Sequence, residues 1–161
     1  MTRDEKLAVI GKFESSYAPV EAMIADLNPE ALAFVPPLPG AWSINDFLVH
    51  FADADLSLAF RLRSAVAEPG REVPVWDEEA WQGRLSYGAM DGKAALALAK
   101  EIRAFAGSGL RAVIDADWAA FFVVHPTRGK LDLSALLAMY RDHVAFHLPL
   151  IKRNKDAWAG R

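Results

Sequence analysis

Apolar residues recur with the period of an α-helix in four long segments of the chain. In the first, from Ile10 to Leu27, they follow one another at steps of three and four residues, which places them on one side of a helix. The second segment begins at Ser43, because Ser43 is a good N-cap and Asp46 follows it at the spacing of a capping-box variant. The dipeptide Pro69-Gly70 is predicted to end this second helix.

The other two segments lie in the second half of the chain. The third covers residues 92–114, with Leu98, Ile102 and Phe105 predicted to face inward, and the fourth begins near Asp132, a plausible N-cap. Four amphipathic helices around one core predict an all-α domain, a four-helix bundle that includes the whole chain. The connections are too long for simple hairpins throughout, so we expect a crossover topology with a long crossover loop.

The connection at residues 68–90 has no clear period, but it contains Trp76, Trp81 and Tyr87. Loops of this length inside a compact domain are uncommon and are often lids or disordered segments. The aromatic residues favour a packed lid that could cap a pocket, although they could equally pack the end of the bundle. Further along, residues 121–124 could form a short strand.

Composition narrows the function classes. The 161 residues are 53% apolar and carry a net charge of −3, which favours one folded domain and gives no sign of a nucleic-acid partner. No apolar run is long enough to span a membrane, and the first residues do not resemble a signal peptide, so a cytoplasmic location is expected. Because the chain has no Cys, any bound metal must be held by nitrogen and oxygen ligands.

Two of the four histidines, His143 and His147, are four residues apart on the predicted fourth helix. Residues at this spacing share a helix face, and both positions follow the apolar stripe into the bundle. When two neutral imidazoles are buried side by side, one shared cation can bind both ring nitrogens, whereas separate hydrogen-bond partners would require two further polar groups in the core. The alternative is that both are ordinary core histidines.

A third ligand is expected, and His50 is the best candidate. It lies beside the apolar stripe of the second helix, in a polar line with Asp46 and Asp53. Three neutral nitrogens would leave an open coordination position, as in catalytic rather than structural zinc sites. Asp46 or Asp53 could orient a ligand ring or act as a catalytic base, although both could equally be capping or solvated carboxylates. His125 precedes Pro126 in a predicted turn and is more simply explained as a loop residue.

Two stretches resemble the DinB/YfiT-like superfamily. Residues 39–50 are similar to that family's first metal-ligand motif, with Trp42-Ser43 at the start of the second helix and His50 as the last residue of the stretch. Residues 140–147 are similar to its closing His-x-x-x-His helix, and residues 125–137 to the turn and Leu-rich segment before it. One departure is Pro149, which is expected to kink the last helix and could tilt His147.

The resemblance implies a four-helix bundle, often a homodimer, with a three-His site for zinc, nickel or a similar divalent ion. Some relatives transfer low-molecular-weight thiols, and others are described as metal-dependent hydrolases. The chain is therefore expected to be a metal-dependent transferase or hydrolase acting on a small molecule. A zincin protease is disfavoured because Val144 stands where that motif has Glu, and no Glu-x-x-His pair supports a di-iron site.

Two other hypotheses remain open at this stage. One is a non-catalytic module that binds a metal or a small molecule in a pocket beneath the aromatic loop. The other is a structural role in which surplus apolar residues form a dimer face, with Trp158 and Tyr17 or Phe60 as candidates.

Overall fold

The computed structural model describes every residue from Met1 to Arg161, and most of them are helical. The helices in chain order are α1 (Arg3–Glu14), α2 (Ala18–Ile24), α3 (Pro29–Ala33), α4 (Ile44–Ala67), α5 (Glu78–Arg84), α6 (Gly92–Ala112) and α7 (Leu133–Ala159). Single 3₁₀ turns cover Ser15–Tyr17 and Tyr87–Ala89. The short strands are β1 (Arg71–Glu72), β2 (Phe122–His125) and β3 (Gly129–Asp132).

The first helix of the bundle is divided into α1 and α2, which the 3₁₀ turn joins. Pro19 lies in the first turn of α2, where its missing N–H costs no helical hydrogen bond. The apolar stripe nevertheless continues across the division, since Ile10, Tyr17 and Ile24 are all buried. The sequence therefore predicts the buried face correctly and misses only the local change of helix type.

The start of α4 follows the sequence prediction closely. The Ser43 hydroxyl accepts a hydrogen bond from the Asp46 backbone N–H at 3.0 Å, and the Asp46 carboxylate accepts one from the Ser43 backbone N–H at 2.9 Å. This reciprocal capping box satisfies two N–H groups that a helix start would otherwise leave without partners. It fixes where α4 begins, and hence which side chains of α4 face the interior.

The four long helical units form a four-helix bundle whose chain order is not that of a simple up-and-down bundle. Helix α4 packs against α6 and α7, and α1 makes its main helix contacts with the same two helices. The first two long helices in the chain are therefore not the main neighbours of each other. This arrangement confirms the predicted bundle with a long crossover connection. The crossover is the connection from α2 to α4, which contains α3, whereas the connection that contains β1 and α5 joins the neighbouring helices α4 and α6.

A small sheet lies beside the bundle. Strand β1 pairs with β2 in parallel, and β2 pairs with β3 in antiparallel register, with His125 opposite Gly129. Gly129 closes the hairpin with a φ of 68°, a left-handed conformation that glycine adopts without strain. The strand predicted at residues 121–124 is thus present, shifted by one residue, and it ends at His125.

The inward face of α6 differs from the sequence prediction. Leu98 and Phe105 are exposed, whereas Leu96, Ala99 and Arg103 are buried. Arg103 is fully buried because it forms an ion pair with Asp55 of α4, at 2.7 Å from Nε to Oδ2. A prediction from hydrophobic periodicity treats an arginine as a surface residue. It therefore places the buried face of α6 on the wrong side, away from Arg103.

Two further observations bear on the predicted partners. Tyr17 is 1% exposed and packs on Phe51 inside the core. It therefore cannot contribute to a dimer face, and its proposal as a dimer-face residue was wrong. Phe60 is about half exposed, and Trp158 packs against Phe34. None of the helices is long and apolar enough to cross a lipid bilayer.

Candidate metal centre

Three histidines from two helices meet in the interior of the bundle. His50 lies in the first half of α4, and His143 and His147 lie one turn apart in the middle of α7. Because α4 packs directly on α7, residues 93 positions apart in the chain come into contact. The remaining histidine, His125, does not belong to this group.

The three rings point their Nε2 atoms at one another. The distance from His50 Nε2 to His143 Nε2 is 2.8 Å, and that from His147 Nε2 to His143 Nε2 is 3.0 Å. All three ligand atoms lie within 4.8 Å of one another. These three histidines, predicted as ligands from their spacing, are therefore brought together, and we refer to them as the triad.

The triad has a donor set that suits a divalent ion, and two of its nitrogen pairs have nearly the spacing that such an ion requires. At a metal–nitrogen distance of about 2.1 Å, two nitrogens separated by angles of about 90° to 110° at the ion are about 3.0 to 3.4 Å apart. Two of the three separations, 2.8 Å and 3.0 Å, lie at or just below the lower end of that range, and the third pair of nitrogens lies within 4.8 Å. A hydrogen bond can satisfy only one such pair of nitrogens with a single proton, whereas one cation satisfies all three. Neutral imidazoles suit zinc and nickel among other divalent ions.

Aromatic side chains surround the triad. Trp42 and Trp76 each lie 5.4 Å from the His50 ring, and Phe47 lies 5.2 Å from the His147 ring, measured between ring centroids. Burial, together with neighbouring charges at His50 and His143, lowers the pKa values of the imidazoles to about 2 for His50, about 3 for His143 and about 4 for His147. The rings are therefore neutral at physiological pH, the state in which imidazole binds metals.

The carboxylates predicted to assist the triad lie nearby but have other partners. Asp46 is buried, and its Oδ2 accepts hydrogen bonds from the backbone and hydroxyl of Ser43. Asp53 accepts a hydrogen bond of 2.5 Å from the Tyr87 hydroxyl. The Nδ1 atom of His50 has no hydrogen-bond partner, so neither aspartate orients this ring. A catalytic role for Asp46 or Asp53 stays a prediction.

A carboxylate that the sequence did not single out lies closer to the triad. Glu78 is the first residue of α5, and its Oε2 lies 3.6 Å from His50 Nε2. Partial burial raises its pKa, and the charges of Glu79 and Asp77 raise it further. The available signal was an acidic run directly after Trp76 in the aromatic loop, but only the fold shows that this loop returns to His50.

The triad lies at one side of a pocket of about 730 Å³. The sequence-based hypothesis of a lid is partly realised, because Trp76 and Glu78 of the aromatic loop line this pocket. Tyr87 is instead fully buried against Trp42. His125, at the end of β2, also lines the pocket.

Pro149 does not disturb the triad. Helix α7 continues through it from Leu133 to Ala159, and His147 keeps its 3.0 Å contact with His143. The neighbouring residue Ile151 is fully buried in the core, which holds the helix in place although one backbone hydrogen bond is lost. The expected tilt of His147 is therefore not observed.

A helical bundle in which three neutral imidazoles meet beside an open pocket is typical of a metal-binding protein. The model of the DinB superfamily matches residues 12–151, so the chain belongs to the DinB superfamily. This match confirms the resemblance seen in the two histidine motifs.

Two similar proteins agree with this assignment. One is a Bacillus licheniformis protein, provisionally named a metal-dependent hydrolase, that is 24% identical over 151 residues, covering 92% of this chain and 85% of the relative. The other is the solved structure of YfiT from Bacillus subtilis, described as a probable metal-dependent hydrolase with an unusual four-helix bundle topology. It superposes with a TM-score of 0.85 at 21% identity and covers 99% of this chain and 90% of its own, which shows that the fold is shared.

Proposed function

We propose that this protein is a metal-dependent enzyme that acts on a small molecule, with a divalent ion held by the Nε2 atoms of His50, His143 and His147. The observation that carries the proposal is the convergence of these three neutral nitrogens at the side of an open pocket. Zinc and nickel are the two ions expected from the sequence, and imidazole nitrogens suit both of them.

When bound, such an ion lowers the pKa of a water or thiol molecule toward neutrality and polarises a carbonyl or similar group. The protein supplies the remaining elements. The Glu78 carboxylate is within reach of a molecule at the triad and can accept its proton, and Trp42 and Trp76 limit access of bulk water around His50. The raised pKa of Glu78 makes its carboxylate a better proton acceptor than an exposed glutamate.

Hydrolysis is the first candidate reaction because water is always available to the pocket and the two similar proteins are described as metal-dependent hydrolases. Transfer of a low-molecular-weight thiol is the second. Apolar side chains of Val75, Met139 and Phe146 share the pocket with the triad, and such walls suit an apolar electrophile that a thiolate would attack.

Metal content measured by elemental mass spectrometry tests the site. The wild-type protein should bind close to one equivalent of zinc or nickel, and His50→Ala, His143→Ala and His147→Ala should each lose it. His125→Ala is the matched control, since it removes a histidine from the same pocket but not from the triad, and it should retain the metal. A wild-type protein that stays metal-free after incubation with both ions contradicts the proposal.

The metal-loaded protein is then assayed with ester, amide and thiol-conjugation substrates. Glu78→Gln should reduce turnover by roughly a hundredfold or more while the metal content stays unchanged, because it removes a proton acceptor and no ligand. Asp53→Asn serves as the comparison that tests the sequence-based assignment. If Glu78→Gln were fully active and Asp53→Asn inactive, the base would be Asp53 and not Glu78. No turnover in any assay, with metal bound, would favour a binding module.

A further inference from the structure

A second buried arginine, Arg61 of α4, has no acidic partner. It is 5% exposed and donates hydrogen bonds to the Tyr140 hydroxyl at 2.8 Å and to the Pro74 carbonyl at 2.7 Å. Both acceptors are uncharged, no carboxylate lies within ion-pairing distance, and its buried Nε finds no acceptor at all. Arg103, the other buried arginine, is in contrast fully paired with Asp55.

An unpaired guanidinium in this position is costly for the fold alone. A guanidinium remains charged in proteins and presents five N–H donors, of which neutral oxygens here satisfy two. Buried charges are ordinarily paired, because desolvation of a lone ion is strongly unfavourable. An anion that enters from outside would supply the missing partner.

Arg61 lines the same pocket as the triad. Positions 50 and 61 are eleven residues apart, about three turns, so His50 and Arg61 lie on one face of α4. Tyr140, which contacts Arg61, precedes His143 by three residues and so shares its face of α7. The pocket therefore extends from the imidazoles at one end to a guanidinium at the other.

The positively charged residues of the pocket wall are less neutralised than the negatively charged ones. Arg128 joins Arg61 among the lining residues, and both cations contribute, after burial, to the lowered pKa of His125. The two acidic residues of the wall are engaged elsewhere, since Glu78 lies beside His50 and Asp142 pairs with Arg141 at 2.7 Å. The end of the pocket at Arg61 is thus positively charged.

We propose that Arg61 binds a carboxylate group of the substrate, so that the enzyme acts on small carboxylic acids whose reacting group lies at the triad. This inference rests on the proposed function, because it assigns a substrate class to the same pocket. A carboxylate is planar, carries one charge and accepts hydrogen bonds in the geometry that a guanidinium edge offers. Arg61 then determines specificity without taking part in the reaction.

Binding of butyrate and of its neutral analogue butyramide tests the proposal. The Nε–H resonances of arginine are recorded on ¹⁵N-labelled, zinc-loaded protein, and the Arg61 signal is identified by its absence in Arg61→Lys. Butyrate should shift this signal in a saturable way, and butyramide should not. Arg61→Met should weaken butyrate binding by roughly tenfold or more, the loss expected for a charge-assisted hydrogen bond.

Arg63→Met is the matched control. Arg63 lies on the same helix, but it is exposed and stacks on Phe105 away from this pocket, so butyrate affinity should be unchanged. If neither Arg61 variant folds, the Arg61 signal is assigned in the wild-type protein by through-bond correlation to its backbone resonances, so the wild-type titration still gives the result. Equal shifts with the two probes, or no shift with either, overturn the proposal.

The titration is repeated on protein without zinc. A shift of the Arg61 signal that persists there supports the carboxylate site even if the protein proves not to be a metal enzyme. A butyrate response that requires zinc and leaves the Arg61 signal unmoved shows binding at the metal instead, and it overturns the inference while the proposed function stands.

Discussion

At the scale of single residues, Asp55 and Arg103 form the most completely satisfied polar group of the interior. The Asp55 carboxylate accepts from Arg103 Nε at 2.7 Å, from Arg103 Nη2 at 3.0 Å and from the Tyr17 hydroxyl at 2.9 Å. The guanidinium also lies over the Tyr17 ring, 4.1 Å from its centroid. This group connects the 3₁₀ turn between α1 and α2 with α4 and α6 around a fully buried ion pair.

We therefore expect Asp55→Ala to lower the free energy of unfolding by about 3 to 5 kcal/mol, because it leaves the buried Arg103 without its counter-charge. Urea denaturation at neutral pH measures the loss. Asp115→Ala is the control, since its ion pair with Arg3 is exposed and should contribute little. Similar midpoints for the two variants would mean that the buried pair does not stabilise the fold.

The triad makes a prediction about pH in the metal-free protein. The folded-state pKa values of about 2, 3 and 4 lie below the value near 6.5 of an unfolded histidine. As the pH falls below about 6.5, the unfolded chain therefore binds protons that the native protein does not, and stability decreases. Each imidazole contributes about 1.4 kcal/mol per pH unit until its folded pKa is reached.

Chemical denaturation at several pH values between about 7 and 5 measures this slope on protein treated with a chelator. The variant with His143→Gln and His147→Gln keeps only one of the three imidazoles and should lose stability more gradually on acidification. Identical slopes for wild type and variant would show that other groups govern acid unfolding.

Prediction from sequence succeeded for residues whose signal is local. The spacing of His143 and His147 and the position of His50 beside an apolar stripe are visible in the chain itself. Glu78 and Arg61 were not found, because their importance comes from contacts between distant segments. Nothing near position 78 indicates that its carboxylate returns to α4.

At the scale of secondary structure, the beginning of α4 was predictable because the capping box is a short-range pattern. Ser43→Ala removes the hydroxyl that accepts from the Asp46 backbone N–H, and it should lower the free energy of unfolding by about 1 kcal/mol. His50 lies about two turns further along the helix, so zinc affinity should stay within a factor of about two. Denaturation and zinc titration measure the two effects separately.

Thr2→Ala is the matched variant, because it removes the same capping box from α1, which carries no triad residue. If Ser43→Ala weakened zinc binding as strongly as His50→Ala, the cap would be part of the metal site and not only of the helix.

The inward face of α6 was not predictable in this way, because an ion pair between helices overrides its hydrophobic pattern.

At the scale of the whole molecule, the triad joins two helices that the chain separates by 93 positions. A ligand shared between α4 and α7 binds the native state and not the unfolded chain, so metal binding should stabilise the entire bundle. The bundle itself was predictable from four periodic segments. The pocket was not, since it also needs β2 and the aromatic loop.

Zinc at a hundred times its dissociation constant should add about 2.7 kcal/mol to the free energy of unfolding. Thermal denaturation with zinc and with a chelator measures the gain, which should vanish in His50→Ala and His147→Ala but remain in His125→Ala. Because these two triad residues lie on different helices, loss of the gain in both shows that one ion connects α4 to α7. A gain that survived in either would mean that zinc binds on a single helix or elsewhere, and that the triad does not connect the two helices.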